Sequence, residues 1–249
     1  MSGHSKWSSI KRQKGVNDVK RGAIFTKMGR EIAVAARQGG GDPEGNFRLR
    51  LAIEKARGAN MPLDTIKRAI EKATGGGEAE QFEEIIYEGY GPGGVAVLVE
   101  AATDNRNRTA ADVRSVFSKA GGQLAGSGAV AWQFEPRGVV TIARAGNDAD
   151  EVALAAIDAG ADDVDTDADP MEIYTAPGDL EVVRRSLEAA GYRVESAEST
   201  MLAKQQVALD PARARQNLRL VDLLEDLDDV QRVTANFDIP EEVFAEVAG

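Results

Sequence analysis

Two runs of three glycines, Gly39-Gly40-Gly41 and Gly75-Gly76-Gly77, interrupt the first third of this 249-residue chain. Glycine readily adopts the left-handed backbone conformation that ends a helix, so each run predicts a helix end. Before Gly77 the apolar residues recur at helical spacing, whereas after it they form short runs of strand length. The sequence therefore predicts a small helical domain followed by a region of mixed strands and helices.

Three helices are predicted before Gly77. The first starts at Asp18 and ends at the first glycine run, and apolar residues from Ile24 to Ala36 lie on one of its faces. The second is predicted from about Asn46 to Arg57 and the third from Leu63 to Ala73. Few apolar side chains precede Asp18, so we expect a flexible or loosely docked arm there.

After Gly77 the pattern predicts alternating strands and helices. Strands are predicted at 94–102, 129–134, 138–143, near Val164, and at 171–175, 192–199 and 230–239. Helices are predicted to begin at a capping box formed by Thr109 and Asp112, at Asp148, before Leu180 and at Pro211. A left-handed glycine cap is predicted where helices end in Ala120-Gly121, Ala159-Gly160 and Ala190-Gly191.

The order of these elements predicts the domain organisation. Residues 137–200 read strand, helix, strand, strand, helix, strand, which is the ferredoxin-like order. The helix and strand after Pro211 supply what the earlier strand-helix-strand unit lacks, so the third domain is predicted to be inserted into the second. The predicted fold is α+β and multi-domain, with an N-terminal three-helix domain followed by two ferredoxin-like α+β domains. The predicted domains are 1–77, the discontinuous 78–135 with 205–249, and 136–204.

Residue types that carry catalysis are scarce. The chain has no cysteine and a single histidine, His4, which argues against a thiol nucleophile, a catalytic triad or a histidine-based metal site. The glycines at 89–94 lack the lysine of a phosphate-binding loop and are interpreted as turns that lead into a strand. The acidic run at 162–169 lacks the glycine and glutamate of a calcium loop, so a solvated surface is the better interpretation. We expect no enzyme activity, no metal, no cofactor and no small-molecule substrate.

Charge is distributed unevenly along the chain, whose net charge is -11. Residues 1–77 contain 16 Lys and Arg against 7 Asp and Glu, a net of +9, whereas residues 78–249 contain 14 against 34, a net of -20. A basic segment attached to an acidic body indicates that the basic segment meets a polyanion. We therefore expect DNA or RNA as the partner.

The candidate nucleic-acid contacts fall in three groups: the arm, the polar side of the first helix, and the segment Thr103-Asp-Asn-Arg-Asn-Arg-Thr109. A cationic arm gains affinity by releasing counterions from phosphates, and guanidinium groups near a helix start suit anion recognition. The candidates are Lys6, Trp7, Lys11, Arg12, Lys14, Lys20, Arg21, Lys27, Arg30, Arg106 and Arg108. Further cations continue into the second and third helices at Arg48, Arg50, Lys55, Arg57, Lys67, Arg68 and Lys72.

Two of these assignments have a structural alternative. Trp7 either stacks on an exposed base or docks the arm against the helical domain. Arg106 and Arg108 either bind phosphate or pair with nearby acids such as Asp112. The residues alone leave both questions open.

Location and assembly are constrained only weakly. No apolar run approaches the roughly 18 residues that span a bilayer, so no membrane partner is expected. The first residues lack the apolar core of a secretory signal, and without cysteines the chain has no disulfides, so a cytoplasmic location is predicted. We expect a monomer or a weak oligomer.

Several motifs together resemble the YebC/PmpR family over essentially the whole chain. They are GHSKW at 3–7, KRGAIFTK at 20–27, GGGDP at 39–43, NMP at 60–62, YEGYGPGG at 87–94 and TDNRNRT at 103–109. The chain departs mildly at Lys11-Arg-Gln-Lys14, where relatives often carry a histidine, and at Gly15-Val16, where alanines are common. These departures retain the positive charge of the arm.

The resemblance implies three domains, a helical one and two α+β ones, and a location in the bacterial cytoplasm or in mitochondria. The family is commonly described as probable transcriptional regulators that bind DNA. Other members act on translation and associate with ribosomes, easing stalls at difficult sequences. The resemblance therefore implies a DNA-binding transcriptional regulator, with a ribosome- or rRNA-associated translation factor that relieves stalled elongation as the alternative.

Replacing both Arg12 and Lys14 by glutamate is expected to weaken nucleic-acid binding sharply, because each lost phosphate contact removes a released counterion and lowers the salt slope by about 1. Fluorescence anisotropy with labelled nucleic acid at several salt concentrations measures the affinity and the slope. Circular dichroism checks that the fold is intact. An unchanged affinity would contradict a role for the arm.

Overall fold

The structure, a computed structural model, describes residues 18–75 and 82–248. The predicted arm, with Lys6, Trp7, Lys11, Arg12 and Lys14, lies outside the described residues, as do Gly76 and Gly77 of the predicted linker. The side chains of Lys20 and Arg21 lie outside them as well.

Three helices form the N-terminal part of the described chain, as predicted: α1 (Asp18–Gly39), α2 (Phe47–Gly58) and α3 (Leu63–Thr74). Helix α1 packs against both α2 and α3. Their shared core consists of small and branched apolar side chains that the helical spacing places on the inner faces. Its buried members are Ile32, Ala35, Ala36, Leu49, Ala52, Ile53, Ala56, Met61 and Ile66.

Asn46 joins the end of α1 to the start of α2. Its side-chain oxygen accepts a hydrogen bond from the backbone N–H of Leu49 at 3.0 Å, which caps α2. Its side-chain nitrogen donates to the backbone oxygens of Ala35 and Gly40, each at 2.8 Å. All these polar groups lie at the junction of two helices, so one buried amide satisfies the ends of both.

The described residues after α3 form two four-stranded antiparallel sheets with helices. The elements are, in chain order, β1 (Glu83–Gly91), β2 (Val95–Thr103), α4 (Arg106–Lys119), β3 (Gln123–Leu124), β4 (Phe134–Ile142), α5 (Ala149–Asp158), β5 (Asp163–Asp165), β6 (Met171–Thr175), α6 (Leu180–Ala189), β7 (Val194–Ala203), α7 (Pro211–Glu225), β8 (Val230–Ala235) and α8 (Glu241–Ala248).

The first sheet has the strand order β3-β1-β2-β8, and β1 and β2 form its central hairpin. Helix α4 connects β2 to β3 and packs against β1 and β3 through the fully buried Val113 and Phe117. Strand β2 is buried along nearly its whole length because it lies between β1 and β8. Strand β8 joins this sheet although the whole second sheet precedes it in the chain, which is the predicted insertion.

The second sheet has the strand order β5-β6-β4-β7. Helix α5 packs against β5 and β6, helix α6 packs against β4 and β7, and the two helices contact each other. Read in chain order, these are the strand-helix-strand-strand-helix-strand elements that the sequence predicted for 137–200. The fold class is thereby confirmed: three N-terminal helices, then α+β domains with the second sheet inserted.

The described residues divide into two compact units. One unit contains residues 18–131 and 215–235, with the three helices and the first sheet. The other contains residues 132–214 and 236–248, with the second sheet. The exact domain boundaries given by the sequence stay a prediction.

Within the described residues, no helix is both long enough and apolar enough to cross a membrane.

The three predicted left-handed glycine caps are present. Gly121, Gly160 and Gly191 have φ angles of 78°, 101° and 95° after α4, α5 and α6. A residue with a Cβ is strained in this conformation, so glycine at these positions ends each helix and turns the chain towards the next strand.

Two predictions around the first sheet are wrong. The segment 83–91 forms strand β1, although its glycines at 89 and 91 were interpreted as turns. Packing inside the strand, and not a turn, requires glycine at position 89, since a Cβ there would lie 2.6 Å from Cζ of Phe117. Residues 129–130 form a bend and residues 131–133 a 3-10 segment instead of a strand, and strand structure begins only at Phe134.

A buried carboxylate explains the second error. Glu88 on β1 accepts hydrogen bonds from the backbone N–H groups of Gly128, Val130 and Ala131 at 2.6, 2.7 and 2.8 Å. These N–H groups are therefore occupied by a side chain and are unavailable to a neighbouring strand. Burial alone would raise the pKa of Glu88, but the three backbone hydrogen bonds outweigh it and hold that pKa below its usual range.

Further elements differ from the predictions. Helix α4 begins at Arg106, and its N-cap is Asn105, whose side chain accepts from the N–H of Arg108 at 3.1 Å, so the predicted capping box at Thr109 is wrong. The final strand stops at Ala235, short of the predicted residue 239. The chain then forms helix α8, for which the sequence analysis made no prediction.

Substituting Gly122 by alanine is expected to lower the free energy of unfolding by about 2 kcal/mol, because overpacking against rigid atoms typically costs 1–3 kcal/mol. A Cβ there would lie 2.5 Å from the backbone oxygen of Tyr90. Gly126 is the matched control, since a Cβ there meets nothing within 4 Å. Urea denaturation compares the two variants, and equal stabilities would contradict the packing argument.

Candidate nucleic-acid interface

Asp229, the residue immediately before β8, is the centre of the polar cluster that contains two of the predicted site residues. Its side chain is 8% exposed. Its Oδ1 lies 2.8 Å from Nη1 of Arg30 on α1, and its Oδ2 lies 2.8 Å from Nη2 of Arg108 on α4. One carboxylate therefore binds a cation from the helical domain and a cation from the α+β region.

Two threonines complete the shell around this carboxylate. The hydroxyls of Thr109 and Thr103 donate to Oδ2 of Asp229 at 2.6 and 3.2 Å, and the two hydroxyl oxygens lie 2.7 Å apart. The N–H of Asn105 donates to the Thr103 hydroxyl at 2.9 Å. The motif at 103–109 is thus folded around Asp229, which explains why threonine stands at both of its ends.

The electrostatics of the cluster favour the charged form of Asp229. Burial alone would raise its pKa, but the hydrogen bonds from Thr109 and Arg108 and the positive charges of Arg30 and Arg108 outweigh burial. The pKa of Asp229 therefore lies below its ordinary value of 3.8. The same contacts raise the pKa of Arg108, through the hydrogen bonds to Asp229 and Asp104 first.

The cations on the polar side of α1 also contact the backbone between α7 and β8. Lys27 Nζ donates to the backbone oxygen of Glu225, and Arg30 Nη1 donates to that of Asp228. The guanidinium of Arg30 also lies 5.3 Å from the ring centre of Phe82, within cation–π distance. Lys27 and Arg30 therefore help to dock α1 onto the α+β part of the same compact unit.

Arg106 and Arg108 differ in how far they are engaged. Arg106 is 65% exposed at its side chain and has one long ion pair, 3.8 Å from Nε to Glu83. Arg108 is 46% exposed and also contacts Asp104 at 2.7 Å. The sequence predicts pairing with nearby acids such as Asp112, whereas the acids found next to these arginines are Glu83, Asp104 and Asp229.

A second ion pair connects the helical domain with β1. The guanidinium of Arg48 on α2 binds the carboxylate of Glu84 on β1, and the side chain of Gln38 donates to the same carboxylate at 2.8 Å. The hydrogen bond from Arg48 is the largest cause that lowers the pKa of Glu84. Both partners are about half exposed, so this pair adds less stability than the buried Asp229 cluster.

The structure therefore brings Lys27, Arg30 and Arg108 together around the residues that precede β8, and places Arg106 at the solvent-exposed edge of that cluster. For Lys27, Arg30 and Arg108 it assigns contacts within the protein. Binding of nucleic acid by these residues stays a prediction.

Asp229 is the residue that the sequence analysis missed. Its sequence signal is an acidic turn, Glu225-Asp-Leu-Asp-Asp229, placed just before an apolar strand. In a body with a net charge of -20, such a turn is indistinguishable from other acidic surface segments. Its partners Arg30 and Arg108 are distant in sequence and become visible only in the fold.

Among residues 18–75 and 82–248, no group of three or more His, Asp or Glu side chains is arranged to hold a metal ion.

Comparison with known proteins gives matches over most of the chain. Residues 5–76 match the family model described as the TACO1/YebC protein N-terminal domain, and residues 82–237 match the model described as the TACO1/YebC second and third domain. A protein from Rubrobacter xylanophilus is 57% identical over 250 residues, covering 100% of both chains. One from Moorella thermoacetica is 56% identical over 243 residues, covering 96% of each. Both are named "Probable transcriptional regulatory protein".

A solved structure is also similar. It is the crystal structure of a conserved hypothetical protein, Aq1575, from Aquifex aeolicus, which is 49% identical in sequence. The TM-score is 0.85, and the match covers 91% of this chain and 93% of that one.

Replacing Asp229 by asparagine is expected to lower the free energy of unfolding at pH 7 by about 3 kcal/mol, because it leaves Arg30 and Arg108 without their shared charge. A carboxylate with a lowered pKa stabilises the fold above its ordinary pKa and loses that contribution as the pH falls. The difference between wild type and variant should therefore shrink below about pH 4. Urea denaturation between pH 7 and pH 3 measures it, and a constant difference would contradict the assignment.

Proposed function

Since the chain belongs to the TACO1/YebC family, we propose that it is a regulator of gene expression that binds DNA through its basic N-terminal part. The relatives named as probable transcriptional regulatory proteins support a regulatory role in transcription. The DNA-binding step and its dependence on the basic segment are our own inference from the charge distribution.

The segregation of charge carries the proposal. The first 77 residues have a net charge of +9 and the remainder a net charge of -20. A phosphate backbone attracts the first part and repels the second, so the two parts together orient the protein on DNA.

The cations among the described residues divide between contacts inside the protein and contacts to phosphate in this proposal. Lys27, Arg30 and Arg108 bind Asp229 and the backbone before β8, so they hold the helical domain in place while other cations meet phosphate. The side chain of Arg106 is largely exposed and suits a phosphate contact. The arm at 1–17 supplies the remaining contacts in this proposal.

The alternative is a translation factor that associates with ribosomal RNA and relieves stalled elongation. One sequence observation favours it: Trp7 lies among Lys6, Lys11, Arg12 and Lys14, and an aromatic residue among cations suits unpaired bases in folded RNA. Both proposals use the same basic segment and differ in the polymer it binds. They are therefore separable by identifying that polymer in cells.

Crosslinking in growing cells, followed by sequencing of the bound DNA and the bound RNA from one sample, tests the proposal. We expect enrichment of discrete promoter DNA and no comigration with ribosomes in a sedimentation gradient. Enrichment of ribosomal RNA together with ribosome comigration would overturn the DNA proposal and support the translation factor. The variant with Arg12 and Lys14 changed to glutamate is the matched control, because it should reduce whichever signal is specific.

A further inference from the structure

Helices α2 and α3 are joined by a short, well-defined turn. Helix α2 ends at Gly58 and α3 begins at Leu63, so four residues separate them. In this turn Asn60 has a φ of 62°, and the N–H of Met61 donates to the oxygen of Ala56 at 2.9 Å. Met61 itself is 4% exposed and anchors the turn in the helical core. The direction of α3 relative to α2 is therefore fixed by packing.

The outer face of α3 is open to solvent and mixed in character. Leu63 is 55% exposed although it is apolar, and Lys67, one turn further, is exposed in the same row. Arg68 lies exposed next to Lys67, and Arg57 is exposed near the end of α2. Cations therefore flank an exposed apolar side chain at the N-terminal end of α3.

The environment of these cations differs from that of the α1 cations. Lys27 and Arg30 on α1 bind the segment before β8, whereas the guanidinium Nε of Arg68 donates to the backbone oxygen of Asp64 in its own helix. The charges of Arg57, Lys67 and Arg68 thus remain at the surface of the protein.

Acidic residues interleave with the cations on this face. Asp64 and Glu71 are exposed on α3 beside Lys67 and Arg68. Such a mixture makes a poor uniform phosphate patch, but it matches the donor and acceptor pattern of base edges in the major groove. Carboxylates accept from cytosine, cations donate to guanine, and an apolar side chain contacts the thymine methyl group.

At 12 residues α3 is about 18 Å long, and a helix of this kind fits the groove of B-form DNA.

We propose that α3 is the helix that reads duplex DNA, with its first two turns in the major groove. Leu63 and Lys67, which lie one turn apart in the same row, face the base edges, and Arg68 beside that row and Arg57 on α2 contact phosphates. This inference rests on the proposed function and adds the element that makes the contact. It assigns DNA rather than RNA, because the deep, narrow major groove of A-form RNA does not admit a helix.

The first test compares two charge-reversal variants that carry the same change in net charge. One replaces Lys67 and Arg68 by glutamate, and the control replaces the exposed Arg185 and Arg193 of the inserted domain by glutamate. Binding to a labelled mixed-sequence 30-base-pair duplex is measured by anisotropy at several salt concentrations, with thermal unfolding as a check of the fold. We expect at least a tenfold loss of affinity in the first variant and less than a twofold change in the control.

The second test separates base reading from simple attraction to phosphate. Wild type and a variant with Leu63 and Lys67 changed to alanine each select from a random-sequence duplex library. We expect wild type to enrich a motif that the variant loses. A motif enriched equally by both would overturn the assignment of α3.

The remaining outcomes separate a failure of the role given to α3 from a failure of the proposed DNA-binding function. If wild type binds duplex DNA and the Lys67/Arg68 variant binds equally well, this inference fails while the proposed function stands. If wild type does not bind duplex DNA, or if a hairpin RNA of the same length displaces it preferentially, the DNA-binding function fails and α3 loses its role with it.

Discussion

The buried carboxylate of Asp229 links the helical domain to the first sheet, beside the more exposed pair of Arg48 and Glu84. It binds Arg30 of α1 and Arg108 of α4, and it accepts two threonine hydroxyls. A buried charge without partners is strongly destabilising, so this position requires the two arginines to come together. The placement of α1 beside β8 and the shape of the motif at 103–109 both follow from that requirement.

Glu88 is a second buried carboxylate, and its partners are backbone N–H groups instead of arginines. Its carboxylate replaces strand partners for the N–H groups of Gly128, Val130 and Ala131, and the hydroxyl of Tyr90, two residues further along β1, donates to the oxygen of Ala129 at 3.0 Å. The segment before β4 therefore keeps an irregular conformation with its polar groups satisfied. In both clusters a buried acid organises the surrounding structure.

These contacts divide the basic residues of the helical domain into two sets. Lys27 and Arg30 on α1 serve the docking of that helix, whereas Lys67 and Arg68 on α3 face solvent. Sequence alone counts all of them as a positive surface, because charge is visible in the sequence and its partners are not. The division shifts the candidate interface from α1 towards α3 and Arg106.

Features that depend on neighbouring residues can be read from the sequence alone. The three N-terminal helices, the left-handed glycines at 121, 160 and 191, and the ferredoxin-like order of the second sheet all follow from local spacing and backbone preference. The other features required the folded structure. Strand β1, the irregular segment at 129–133 and the arginines at Asp229 depend on residues that are far apart in the chain, and their pairing exists only after the chain has folded.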